Sequence, residues 1–188
     1  MRSIGIDIDD TVFYTASYIL VLLGRFFNEY FPLERLTKYS IEDCLHIDKE
    51  IVEDAVDLAI SNPDLKSFED ADRIIKWLSE WYNIHFITFR KPKFVSETIE
   101  LLDKLCIPYF LHMCDKKSEI INNEGICVHI EDRPNTIKDI YDNTDCTILV
   151  YDRPWNVNIK QNGRIIRVYS WQDIYNFFII KGDFDKGD

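Results

Sequence analysis

Apolar positions follow two different periods along the chain. "SIGIDID" alternates and is rich in Ile, which predicts a short buried strand, and "DDT" closes it with turn chemistry. From Phe13 to Ser61 the period becomes helical. "ASYILVLLGRFFNEYF" runs to Pro32, and "DKEIVEDAVDLAI" puts Ile51, Val52, Ala55, Val56 and Ala59 on one face before "SNPDLKS" breaks the pattern. Residues 13–61 therefore form a helical insert, with the core domain expected over 1–12 and 62–188.

Beyond the insert, strand and helix patterns alternate. "FEDADRIIKWLSEWY" (helix) precedes "NIHFITF" (strand), and "KFVSETIELLDKL" (helix) precedes "CIPYFLHM" (strand). "KKSEIINNE" and "PNTIKDIYDN" are helices leading to the strands "ICVHIE" and "CTILVY" in the order helix, strand, helix, strand. "RIIRVY" and "SWQDIYNFFII" end the series, and "KGDFDKGD" is expected as a polar tail. This order predicts an α/β fold, a Rossmann-like three-layer parallel sheet covered on both faces.

Such a sheet binds ligands outside the carboxyl ends of its strands. The polar residues there are Asp7, Asp9, Asp10 and Thr11, then Thr88 and Arg90, then Asp115, Lys116 and Lys117. Glu131, Asp132 and Arg133 follow the fourth strand, and Asp152 and Arg153 the fifth. An acidic centre ringed by hydroxyls and cations results.

Composition narrows what that rim can do. At 188 residues and 46% hydrophobic content the chain can bury a sizeable core. A formal net charge of −11 supplies no footprint for duplex nucleic acid or an anionic membrane, so any anion must be held by a local site. Five dispersed cysteines without a Cys-x-x-Cys pair read as reduced thiols of a cytoplasmic protein. The most apolar window, starting at Tyr18, is bounded by Ser17 and Arg25 and is too short to span a bilayer. His46, His85, His112 and His129 lack metal-like spacing. The aromatics Phe13, Tyr14, Tyr18, Phe26, Phe27 and Tyr30 have helical spacing, which favours core packing over base stacking.

Carboxylates crowded at one rim repel unless a cation neutralises them, and Mg²⁺ prefers oxygen ligands of this kind. With the cation present, a phosphate could take hydrogen bonds from Thr88 and charge from Lys117. One carboxylate could attack phosphorus and another, two residues on, could protonate the leaving oxygen.

At this point "DIDDT", "FITFR" and the Lys preceding "HIEDRP" resemble the motif series of the haloacid dehalogenase superfamily of phosphatases. "IGIDIDDTV", "HFITFRKP", "KSEIINNEGICVHIEDRP", "YDRPWN" and "SWQDIY" are similar to its 5′-nucleotidase, deoxy-type C group, which includes the 5′(3′)-deoxyribonucleotidases. That resemblance implies an aspartyl-phosphate formed on Asp7 and Asp9 as general acid, then base, with its backbone carbonyl facing Mg²⁺. Thr88 would bond the transferring phosphoryl group, Lys117 would bind phosphate and Asp7, and Asp132 with Glu131 would complete the metal shell. Thr11, Arg90, Lys116 and Arg133 are the expected substrate-side residues, and Lys116 is the alternative to Lys117. Two departures stand out: Asp10 where relatives often have Gly, and Phe89 with Lys91 where "T-A-R-P" is usual.

The expected substrate is a small phosphomonoester, in the first place a deoxyribonucleoside monophosphate, with the 13–61 insert as the cap that selects it. Another metabolite phosphatase is the alternative. Halocarbon hydrolysis is disfavoured because halide leaves without the proton that Asp9 would supply, and a non-catalytic module because Asp7 and Asp9 are both present. Oligomeric state is left open.

Overall fold

The computed structural model describes residues 1–182, so the end of the polar tail lies outside the described residues. Six parallel strands run in the order β3-β2-β1-β4-β5-β6. They are β1 (Arg2–Ile6), β2 (Tyr82–Thr88), β3 (Phe110–Met113), β4 (Ile126–Glu131), β5 (Thr147–Tyr151) and β6 (Ile165–Val168). The chain steps outward from β1 through β2 to β3, then crosses back to place β4 on the other side of β1. The order therefore reverses between β1 and β4, where the carboxyl ends leave a crevice.

Alternation of side chains along the strands divides the core in two. Leu149 and Tyr151 of β5 join Ile4, Ile6 and Phe86 on one face, beneath Ile74, Ile75 and Leu78 of α4 (Ala71–Ser79) and Leu101 and Leu102 of α5 (Val95–Asp103). Trp171, Ile174 and Phe178 of α8 (Trp171–Lys181) complete that layer. Ile148 and Val150 point the other way with Ile87. They pack under Ile121 of α6 (Lys117–Asn123) and Ile137 and Ile140 of α7 (Pro134–Asn143). Each such fully buried aliphatic side chain contributes about 1.5–3 kcal/mol.

The helical segment after β1 has an apolar cluster of its own. Ile19, Leu20 and Leu23 of α1 (Thr15–Phe27) meet Leu36, then Ile41 and Leu45 of α2 (Ile41–Leu45), and Val52, Ala55 and Ala59 of α3 (Lys49–Ile60). Trp155, from beyond β5, closes that cluster from the sheet side.

Several boundaries differ from the sequence pattern. Phe13 packs in the sheet core, so the helical segment begins at Thr15. Helix α1 stops at Asn28, whose left-handed φ of 52° lets its N–H return to the Gly24 carbonyl, well before Pro32. The third strand starts at Phe110 because Cys106 is left-handed (φ 53°) and Pro108 has no N–H to give a ladder. Among the described residues no helix is long and apolar enough to cross a membrane, and all five cysteines are unpaired.

Candidate active site

Strand β1 ends at Ile6, and the Asp7 N–H donates to the Ile130 carbonyl of β4 (3.0 Å), which fixes the first carboxylate at the crevice. The turn that follows depends on Asp10. Its φ of 57° is the left-handed conformation for which Gly is the easy choice and Asp one of the tolerated alternatives. Its carboxylate accepts the Ala16 N–H (2.9 Å) at the start of α1, where Tyr14 offers no side-chain cap. Its carbonyl accepts Arg153 Nε (2.8 Å). A glycine could make the turn but could not cap the helix. Burial pushes the Asp10 carboxyl up to about 7.

A buried chain of charges lies beneath Asp7. Lys117 Nζ bonds Asp7 Oδ1 and lies 2.9 Å from Glu131 Oε2. Glu131 Oε2 also faces His129 Nε2 (3.3 Å), while Oε1 accepts the N–H groups of Asp132 (3.1 Å) and Arg133 (3.0 Å). Four donors thus occupy both Glu131 oxygens. Although burial opposes ionisation, Lys117 and then His129 hold the Glu131 carboxyl at about 2. Lys117 is raised despite its burial, because Asp7 and Glu131 flank it. Asp7 is pushed up to about 8, first by burial and against the pull of Lys117, with Glu131 and Asp9 adding repulsion.

Asp132 differs from its neighbour. Oδ2 accepts Trp155 Nε1 (2.9 Å), its carbonyl accepts Asn156 Nδ2 (2.8 Å), and Oδ1 has no partner among the described residues. Burial, then Asp7 and Glu131, raise this carboxyl strongly. Asp7, Glu131 and Asp132 each offer one oxygen, all within 4.8 Å of one another. The uncommitted oxygens of this set are Asp7 Oδ2 and Asp132 Oδ1. An all-oxygen set of unbalanced carboxylates fits a hard divalent cation such as Mg²⁺.

Asp9 is bound differently. Arg90 grips it with two bonds, Nε to Oδ2 (2.9 Å) and Nη2 to Oδ1 (2.7 Å), and Thr15 Oγ1 donates to Oδ1 (2.6 Å). The buried guanidinium is steadied by Thr98 Oγ1 (3.3 Å). Burial favours the neutral acid, yet Arg90 and then Thr15 hold Asp9 below the usual range, as a carboxylate. Thr88 Oγ1 accepts the Arg90 N–H (3.1 Å), so its own hydroxyl proton is free to be donated into the crevice.

The remaining sequence candidates separate. Lys116 turns outward to Glu119 (3.3 Å) and is half exposed, so Lys117 is the lysine at the cluster. Thr11 is fully buried beneath the turn, where its carbonyl accepts Trp171 Nε1 (3.0 Å). Arg133 lines the crevice, as do Arg90 and Thr88.

A cleft of about 640 Å³ joins these groups to the helical segment. Its far half is apolar, with Ile19, Ile41, Val52, Val56 and Phe94, and its acidic members there are Glu42, Glu53 and Asp57. Tyr39 and Trp155, which sequence patterning did not single out, form part of its wall. The aromatic signal was present in "TKYS" and "RPWN", but only the tertiary fold brings those segments together.

A parallel sheet with carboxylates gathered at its switch point defines an α/β protein of the doubly wound kind, with a helical segment over the crevice. No family model matches the sequence, and no curated protein matches it. Solved structures do. A haloacid dehalogenase-like family hydrolase from Xanthomonas campestris shares 11% identity over 98% of this chain and 96% of its own, with a TM-score of 0.66. A predicted phosphoglycolate phosphatase from Haemophilus somnus shares 11% over 95% and 98%, with a TM-score of 0.63. A 2-haloacid dehalogenase from Pseudomonas syringae shares 13% over 96% and 99%, with a TM-score of 0.55. These likenesses establish the fold, which is that of the haloacid dehalogenase-like hydrolases.

Proposed function

We propose that the chain is a Mg²⁺-dependent phosphomonoester hydrolase acting through an aspartyl-phosphate on Asp7, with a 5′-nucleotidase role as the leading assignment. One observation carries the reading: Asp7, Thr88 and Asp132, from the ends of three different strands, line the crevice at the switch point, and Lys117 of α6 bonds Asp7. Asp7 and Asp132, through their uncommitted oxygens, would hold the cation with the Asp9 carbonyl. When bound, Mg²⁺ neutralises the carboxylates and polarises the phosphoryl group.

The residues then divide the work. Asp7 attacks phosphorus, and Lys117 balances charge on Asp7 and the phosphoryl oxygens. Thr88 donates its hydroxyl to the same oxygens. Asp9, clamped as a carboxylate by Arg90, stands in the state needed by the second half-reaction, where it takes a proton from water attacking the aspartyl-phosphate. To act earlier as an acid it must leave Arg90 and carry a proton to the leaving oxygen.

The helices of the 13–61 region serve in this reading as the cap that selects the leaving group. The apolar far half of the cleft suits an uncharged organic group. The carboxylates Glu42 and Glu53, unlike Asp57, which is paired with Lys93, disfavour a substrate bearing a second acid, such as phosphoglycolate. A nucleoside, with an aromatic base and neutral hydroxyls, meets both conditions. Phosphate release from a panel of nucleoside, sugar and carboxylic acid phosphates, with and without Mg²⁺, tests the assignment. Nucleoside monophosphates should turn over fastest and Asp7→Asn should abolish turnover while the protein stays folded; equal turnover by Asp7→Asn would refute the nucleophile.

A further inference from the structure

Arg133, which lines the crevice with Arg90 and Lys91, is not tied up as the cations around it are. Arg90 holds Asp9, Lys117 holds Asp7 and Glu131, and Arg153 donates to the carbonyls of Asp10 and Asp152. Among the described residues Arg133 has no carboxylate partner, and its Nε is buried without a hydrogen bond. Its guanidinium instead lies between two rings, 4.7 Å from the Tyr39 centroid and 4.8 Å from the Phe89 centroid. Tyr39 belongs to the helical segment between α1 and α2, whereas Phe89 follows β2. The stack therefore spans the mouth of the cleft, from the helical segment to the sheet.

Each ring has a second tie to the site. Phe89 also lies 5.2 Å from Lys117 Nζ, so it stands between the two cations. Tyr39 meets Trp155 edge-on at 6.3 Å, and Trp155 donates to Asp132. The Tyr39 phenol is raised by burial and then by Asp132, which places it beside the carboxylates although much of the residue faces solvent. Stacking fixes a guanidinium plane without using its N–H groups, so the Nη donors stay available for an anion.

We propose that Arg133 is an anion ligand of this site, positioned by Tyr39 and Phe89, so that binding the substrate's phosphoryl group and docking the helical segment over the crevice are one event. The inference rests on the phosphohydrolase reading and extends it to how the cleft closes. Phe89, in place of the smaller residue expected after Thr88, then has a reason: a small side chain would leave the guanidinium without its lower ring.

The test uses inorganic phosphate as the probe, binding to the full chain with Mg²⁺ by calorimetry, beside KM and kcat for a nucleoside monophosphate. Arg133→Met should weaken phosphate binding and raise KM by about tenfold or more, with a smaller change in kcat, and Arg133→Lys should recover part of the loss. Tyr39→Phe, which keeps the ring, should bind phosphate as the parent does. Tyr39→Leu should weaken it, and adding Tyr39→Leu to Arg133→Met should cost little more, because the ring acts through the arginine. Unchanged phosphate binding and KM in Arg133→Met, or fully additive losses in the double variant, would overturn the proposal. Phosphate binding is read without turnover, so a parent protein that binds phosphate through Arg133 yet hydrolyses nothing would refute the enzymatic reading and leave this one standing.

Discussion

Gly5 lies in the middle of β1, opposite His85 of β2 and His129 of β4. A Cβ placed there would sit 2.3 Å from His129 Nδ1 and 3.3 Å from Cγ and Cε1. The imidazole has no solvent to move into, being fully buried, and its Nε2 is committed to Glu131. Gly5→Ala must therefore shift the ring or the strand, and overpacking of this kind costs about 1–3 kcal/mol. For a chain of this size that corresponds to a fall in Tm of roughly 2–12 °C. Turnover should fall too, because His129, Glu131 and Lys117 form one chain ending on Asp7. Calorimetry on Gly5→Ala, His129→Ala and the double variant separates the clash from other effects. In the His129→Ala background the added methyl meets no ring, and the change should become neutral or stabilising by about 0.5–1 kcal/mol. A Gly5→Ala protein that melts with the parent, or loses as much stability with His129 absent, would refute the steric account.

Other perturbations reach the remaining parts of the site. Lys117→Met leaves Asp7 and Glu131 buried without their cation, and chemical denaturation should show a loss of about 3–5 kcal/mol together with loss of turnover. Trp155→Phe removes the donor that orients Asp132, and Mg²⁺ affinity measured by calorimetry should fall about 10–100-fold. Folding raises Asp7 to about 8 and Asp10 to about 7 from the ordinary 3.8, so both hold protons in the folded chain that they have lost in the unfolded one, while burial lowers His85 and His129 from 6.5 and works the other way below that pH. Without a divalent cation, Tm should thus decline as pH rises from about 6.5 to 8; Mg²⁺, which needs the ionised carboxylates, should flatten the decline. A Tm that rises over this range without the cation would contradict the burial cost assigned to the cluster.

The sheet and its order of elements were legible because each strand carries its own period-2 or continuous apolar signal and each helix its own stripe. "ICVHIE" marks β4 residue for residue, since both of its faces are buried and Glu131 ends the apolar run. Signals that depend on φ were not legible in the same way. Asn28 and Cys106 both take left-handed backbone; Asn is a residue that marks such a stop, here overshadowed by the later Pro32, and Cys gives no such sign, so α1 was expected to run on and β3 to start early. At the site, the chemical types at the strand ends pointed to the crevice, but the partners did not follow from spacing. Lys116 and Lys117 are adjacent in the chain and point to opposite environments, one to solvent and one to Asp7. The Arg133 stack joins residues from three separate segments, a kind of contact that local patterning does not encode.

The crowding of Asp7, Asp9 and Asp10 is resolved by giving each carboxylate a different counterpart. Asp10 faces the amino end of α1, whose free N–H groups favour an anion, and so it serves the turn more than the chemistry. Asp9 faces the Arg90 guanidinium, and Glu131, on the neighbouring strand, is saturated by Lys117, His129 and two backbone N–H groups. Once those oxygens are assigned, Asp7 Oδ2 and Asp132 Oδ1 remain as buried-edge acceptors facing one crevice. Burial and repulsion from neighbouring carboxylates raise both of these carboxyls. In the reading proposed above, a divalent ion would balance what the protein's own donors leave unmatched, and Asp7 and Asp132 would hold it in preference to Glu131, whose oxygens already accept other donors.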